Sequence, residues 1–156
     1  ILRTSYAKHF DCKIYNMETE PNIVLIFTSL FFITNAIVSY LTNQYIYTFI
    51  SIGLFMSSII YHYIYSDITK FIDKIFIYIF VCFGGYTLYQ KASSKNIIIT
   101  VSIIVLFVFS IIVYNYGKMY NQFCFDPDIV VANIYHGLIH IFSSFGHNLI
   151  ILLDYY

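Results

Sequence analysis

Apolar residues run through this chain in five long blocks, at 22–40, 45–65, 70–89, 96–116 and 128–153. A helix needs about 20 mostly apolar residues to cross about 30 Å of hydrocarbon, and every block is close to that length. The intervals between them are short and polar: "LTNQ" at 41–44, "SD" at 66–67, "QKASSK" at 90–95 and "GKMYNQFCFDPD" at 117–128. The pattern predicts an all-α fold, a polytopic bundle of five transmembrane helices forming a single domain over 22–156. Residues 1–21 read as a polar N-terminal arm carrying Arg3, Lys8, Asp11, Lys13, Glu18 and Glu20, closed by Pro21 at a helix start.

Five spans put the two termini on opposite sides of the membrane. With the arm's side called side A, the 66–67 and 117–128 connections return to side A, and the 41–44 and 90–95 connections lie on side B. Side A is flanked by Arg3, Lys8, Lys13, Lys70 and Lys118, side B by Lys91 and Lys95. The excess of basic residues leans towards side A being cytoplasmic.

Composition agrees with the periodic reading. The chain is 60% hydrophobic and 10% charged, against about 45–50% and about 25% in soluble domains. Its 156 residues suffice for one helical bundle. Eight basic and eight acidic residues cancel, so no net field draws it to nucleic acid. No leader with basic, apolar and small-residue parts is visible. Cys12, Cys82 and Cys124 have no zinc-knuckle spacing. Cys82 lies in an apolar block and reads as a packing residue, while Cys12 and Cys124 fall outside the spans and could pair in an oxidising lumen.

The chemistry lies in the polar residues inside the blocks. Ser58 and His62 stand in the last turns of the second span, as it approaches side A. Asp73 and Lys74 open the third span, leaving side A, and His136 and His140 stand in the first half of the fifth, which enters from side A. At about 1.5 Å of rise per residue, three separate helices bring ionisable groups to one depth, in the outer half of the bilayer on one side. Such groups are costly in hydrocarbon, face the bundle interior, and by default point to function.

His136 and His140 lie one turn apart on one helix face and can bind one ion together. His62 offers a third nitrogen at compatible depth, and three imidazoles with an open position make the ligand set of a catalytic zinc. Asp73 could then accept and return a proton, and Ser58, one turn before His62, could donate to a developing oxyanion. Plainer readings stand beside these. The histidines could be interhelical hydrogen bonds, Asp73 could pair with Lys70 or Lys74, and Ser58 could be a packing serine beside Ser57. His62, Asp73, His136, His140 and His147 could also line a proton or ion pathway. His147 lies deeper and reads as a pocket or packing residue, and Asn35 as an interhelical hydrogen bond. Tyr61, Tyr63, Tyr65, Tyr114 and Tyr116 sit at span ends, where an interfacial aromatic belt belongs.

"SSIIYH" at 57–62, Asp73 eleven positions later and "HGLIHIFSSFG" at 136–146 resemble the CREST superfamily of membrane hydrolases. That group joins the alkaline ceramidases to the progestin and adipoQ receptors and their hemolysin III relatives. Its pattern is Ser-x3-His ending one helix, Asp opening the next and His-x3-His in the last. The resemblance implies His62, His136 and His140 as zinc ligands, with Asp73 and Ser58 at the reaction centre, and Gly146 as the small residue that follows the histidine pair. The short step from His62 to Asp73 is similar to the ceramidase branch, as is "DCKIYNMETEPN" at 11–22, although Lys13 stands where an acidic residue is usual. "SSIIYH" and "GGYT" at 84–87 are similar to the hemolysin III branch.

The implied activity is zinc-dependent cleavage of the N-acyl amide of ceramide or a related lipid drawn from the bilayer, in the endoplasmic reticulum or Golgi if the chain is eukaryotic. The alternative the resemblance implies is a receptor- or pore-like protein with a structural zinc. The chain departs from the family in having five spans, not seven, with the missing pair between Asp73 and His136. Alkaline ceramidases also hold calcium near the arm. Glu18, Glu20 and Asn22 are available for such a site, but an acidic residue of the first helix has no counterpart here, which counts against calcium.

Overall fold

The computed structural model describes residues 21–155, and among these every regular element is a helix. The polar arm, with the calcium-type residues Glu18 and Glu20 and the Cys12 half of the suggested disulfide, lies outside the described residues except for Pro21. The helices are α1 (Ile23–Ser29), α2 (Phe31–Leu41), α3 (Tyr45–Tyr63), α4 (Asp67–Lys91), α5 (Ile97–Tyr120) and α6 (Ile129–Leu152). Because α1 and α2 together form one span, five helical segments are long and apolar enough to cross a membrane.

Local sequence explains where these helices begin and end. The first span is interrupted at Leu30, where the Thr28 and Ser29 hydroxyls both donate back to the Leu25 carbonyl, at 3.2 and 2.7 Å. Such back-bonding competes with the helical ladder, and the chain passes Leu30 through tighter bonds, Leu30 N–H to Phe27 and Ile33 N–H to Leu30. Helix α4 starts earlier than the apolar block, at Asp67, because Ser66 and Thr69 cap each other's backbone groups. Helix α5 runs past its block to Tyr120 and stops where Asn121 turns left-handed, at φ 53°. There the Gln122 N–H bonds to the Gly117 carbonyl at 3.1 Å, and a Cβ on Gly117 would collide with the Gln122 carbonyl. Helix α6 starts after Asp128, whose carboxylate accepts from the Val130 N–H at 2.9 Å.

Helix α6 is the axis of the bundle, packing against α1, α2, α4 and α5. Helix α3 packs on α1, α2 and α4, whereas α4 and α5, consecutive in sequence, scarcely touch. Helix α4 turns only a narrow stripe inward, with Asp73, Phe80 and Gly84 buried and Phe76, Phe83 and Thr87 half-buried at spacings of three and four residues. Its other faces are apolar and exposed, as a lipid-facing helix requires. Cys82, expected to pack inside, is exposed because it falls off that stripe.

An apolar cluster of Phe32, Tyr47, Ile50, Leu54, Phe80, Ile103, Ile150, Ile151 and Leu153 fills the bundle between its middle and side B. Small polar residues line the remaining contacts. Ser29, Asn35, Ser39, Ser51 and Ser58 are all fully buried, which lets helix backbones approach closely where lipid supplies no hydrophobic drive between helices. Asn35 makes the interhelical bonds expected of it, donating to the Ser144 carbonyl at 2.7 Å and accepting from its hydroxyl at 2.9 Å.

Candidate metal centre

His62 lies in the last turn of α3, which ends at Tyr63. Its carbonyl accepts from the Asn22 N–H at 2.9 Å, tying the start of the first span to this corner. Asn22 also caps α1 through Leu25 N–H, and its amide donates to Asn133 of α6 at 2.7 Å. Helices α1, α3 and α6 are thus fastened together within a turn or so of the histidines.

His136 and His140 share one face of α6, and that face meets His62. Ring centroids are 5.3 Å apart for His62–His136, 5.4 Å for His62–His140 and 4.9 Å for His136–His140. One nitrogen from each ring lies within 4.8 Å of the others. Nitrogens bound tetrahedrally at about 2.0–2.1 Å would stand roughly 3.3 Å apart, so small ring rotations close the set around an ion. His62 and His140 are buried and His136 is half-buried.

The hydrogen bonding fits a metal. His62 Nε2 is buried with no partner, as are His147 Nε2 and Asn148 Oδ1 outside the cluster; at His62, beside two further imidazoles, a cation would relieve that condition. The Nδ1 of His140 meets Thr28 Oγ1 at 3.0 Å, which leaves its Nε2 for an ion. Phe32 packs tilted against the His140 ring with centroids 5.4 Å apart, shielding it on the side of the apolar cluster. Three imidazole nitrogens with an apolar wall behind them could hold a metal ion.

Asp73 is buried and accepts a hydrogen bond from Ser57 Oγ at 3.0 Å. It makes no ion pair among the described residues, with Lys70, Lys74 or any other, and it is not one of the three clustered ligands. Ser58 is buried one residue away and meets Ser29 Oγ at 2.8 Å. Because Ser29 gives its own proton to Leu25, the Ser58 proton points at Ser29. His147 stays apart from the cluster. Its ring stacks on Phe80 at 3.6 Å between centroids, Nδ1 bonds to the Tyr47 hydroxyl, and a Cβ on Gly84 would strike it. Tyr63, Tyr65, Tyr114 and Tyr116 are exposed near helix ends, in keeping with a belt.

Sequence reasoning missed Thr28, Ser57 and the Asn22–Asn133 pair. Ser57 stands beside Ser58, which drew attention, and Thr28 beside no such residue; which way either hydroxyl points depends on the rotation of its helix about its axis. No family model, curated protein or solved structure matches the chain.

Proposed function

We propose that this chain is a membrane-embedded, zinc-dependent amide hydrolase that cleaves the N-acyl bond of ceramide or a related lipid. The observation that carries the reading is the convergence of His62 on His136 and His140, one nitrogen from each ring lying within 4.8 Å of the others. His62, His136 and His140 would hold the zinc, which would supply Lewis-acid activation of a water near neutral pH. The chain's own groups do the rest. Asp73, buried at the start of the helix next to His62, takes a proton from the attacking water and delivers it to the departing amine. Ser57 holds that carboxylate in place between transfers. A centre at the side A ends of the spans suits a lipid whose amide lies at the headgroup boundary and whose chains stay in hydrocarbon, against the exposed apolar faces of α4 and α5.

Metal analysis of detergent-purified protein, with ceramide turnover measured on the same sample, tests the reading. The expected result is one zinc per chain and release of fatty acid, with both lost in His136→Ala and in His140→Ala. A folded wild-type protein with less than one tightly bound zinc per chain overturns it.

One observation favours a second reading, a receptor- or pore-like protein with a structural zinc: Asp73 and Ser58 are each engaged by a neighbouring hydroxyl. Asp73→Asn separates the two. In the hydrolase it lowers turnover by about 10²–10⁴-fold with zinc retained. In the structural case the wild type turns over no ceramide and the variant keeps its metal.

A further inference from the structure

The contact that most constrains the centre comes from the first span. Thr28 sits in α1, two residues before the interruption at Leu30, and is buried against α6. Its hydroxyl has one proton and two neighbours, the Leu25 carbonyl at 3.2 Å and His140 Nδ1 at 3.0 Å. A carbonyl oxygen can only accept, and a metal ion bound as proposed above, which needs a lone pair on His140 Nε2, selects the arrangement in which Thr28 gives its proton to Leu25 and accepts from His140 over the one in which it donates to Nδ1. That arrangement places the imidazole proton on Nδ1 and the lone pair on Nε2. The close approach depends on Gly137, where a Cβ would stand 3.0 Å from Thr28 Cγ2 and 3.4 Å from Oγ1. The Asn22–Asn133 bond holds the other end of the same half-span to α6.

We propose that Thr28 is a positioning residue for the metal centre: it accepts from His140 Nδ1–H and so presents His140 Nε2 to the ion. The inference rests on the metal reading above and adds a residue from the first span, which supplies no ligand. An outer partner on the far nitrogen fixes both tautomer and ring orientation, and losing such a partner weakens metal binding by about 10–100-fold.

The test uses the full chain in detergent, titrated with zinc alone against a competing chelator. Thr28→Val keeps the branched shape and removes the acceptor, so zinc affinity falls by about 10–100-fold, while Thr28→Ser restores it. Nitrogen NMR of histidine-labelled, metal-free wild type, with the His140 signal assigned by its loss in His140→Gln, shows the proton on Nδ1. Equal zinc affinity in wild type and a folded Thr28→Val overturns the proposal, as does equal loss in Thr28→Ser. Where Thr28→Val does not fold, the tautomer decides: a His140 proton found on Nε2 overturns the proposal and one on Nδ1 supports it. Absence of zinc binding by the wild type removes the metal reading itself, and is distinguished by failing before any Thr28 variant is compared.

Discussion

The two ends of the bundle gather different polar groups. At side B, Lys91 Nζ donates to Asp154 at 2.8 Å, to the Ile151 carbonyl at 2.9 Å and to Gln44 at 3.3 Å. Gln44 donates to the Ile151 carbonyl at 2.9 Å and Asn96 to the Lys91 carbonyl at 3.1 Å. These bonds satisfy the last carbonyls of α6 and tie it to α3, α4 and the start of α5. At side A, three imidazoles crowd together and His62 Nε2 has nothing to bond. Both ends are tied by side-chain bonds, and what sets side A apart is that three imidazoles lie close together there; buried atoms without a partner also occur deeper in α6, at His147 Nε2 and Asn148 Oδ1. A helix bundle needs its carbonyl ends satisfied, so the side B network follows from the fold alone. The side A cluster is not required by the helix ends, and its three imidazoles could hold a metal ion, which is why it reads as a site.

Substitutions at the two ends should therefore separate, and the largest effect is on metal. His62→Ala should abolish tight zinc binding while the helical circular dichroism of the detergent-solubilised protein stays near that of wild type. Equal zinc content would break the contrast at once. Lys91→Met should do the reverse, lowering unfolding free energy by about 1–3 kcal/mol, the scale of hydrogen bonds to a charged group, with zinc stoichiometry unchanged. Denaturant titration followed by metal analysis reads both quantities. Gly84→Ala tests the middle of the bundle. The added methyl meets the His147 ring where it stacks on Phe80, and overpacking of this kind costs about 1–3 kcal/mol, again with the metal retained. The smallest effect belongs to Ser57→Ala. Loss of a single bond of about 1 kcal/mol to Asp73 should slow ceramide turnover several-fold and leave zinc binding alone.

Much of this contrast can be read from residue order. Apolar run length places the spans, and counting residues inwards from side A brings His62, His136 and His140 to one depth, where the structure brings their rings together. The interruption at Leu30 is harder to see, because Thr28 and Ser29 are as common inside membrane helices as at their breaks. Asp73 was legible by depth, but its bond to Ser57 was not, since adjacent serines point some 100° apart around the axis and only packing selects one. Cys82 shows the same limit: hydropathy marks a membrane helix without saying which of its faces meets lipid.

The narrow inward stripe of α4 has a consequence for mutational tolerance. Along this helix the surrounding hydrocarbon accepts nearly any apolar side chain, so exchanges among Ile, Leu, Val and Phe at positions such as Ile72, Ile75, Ile79 or Val81 should pass unnoticed. Packing inside the bundle therefore constrains this helix only along the single file of residues that contains Asp73, Phe80 and Gly84.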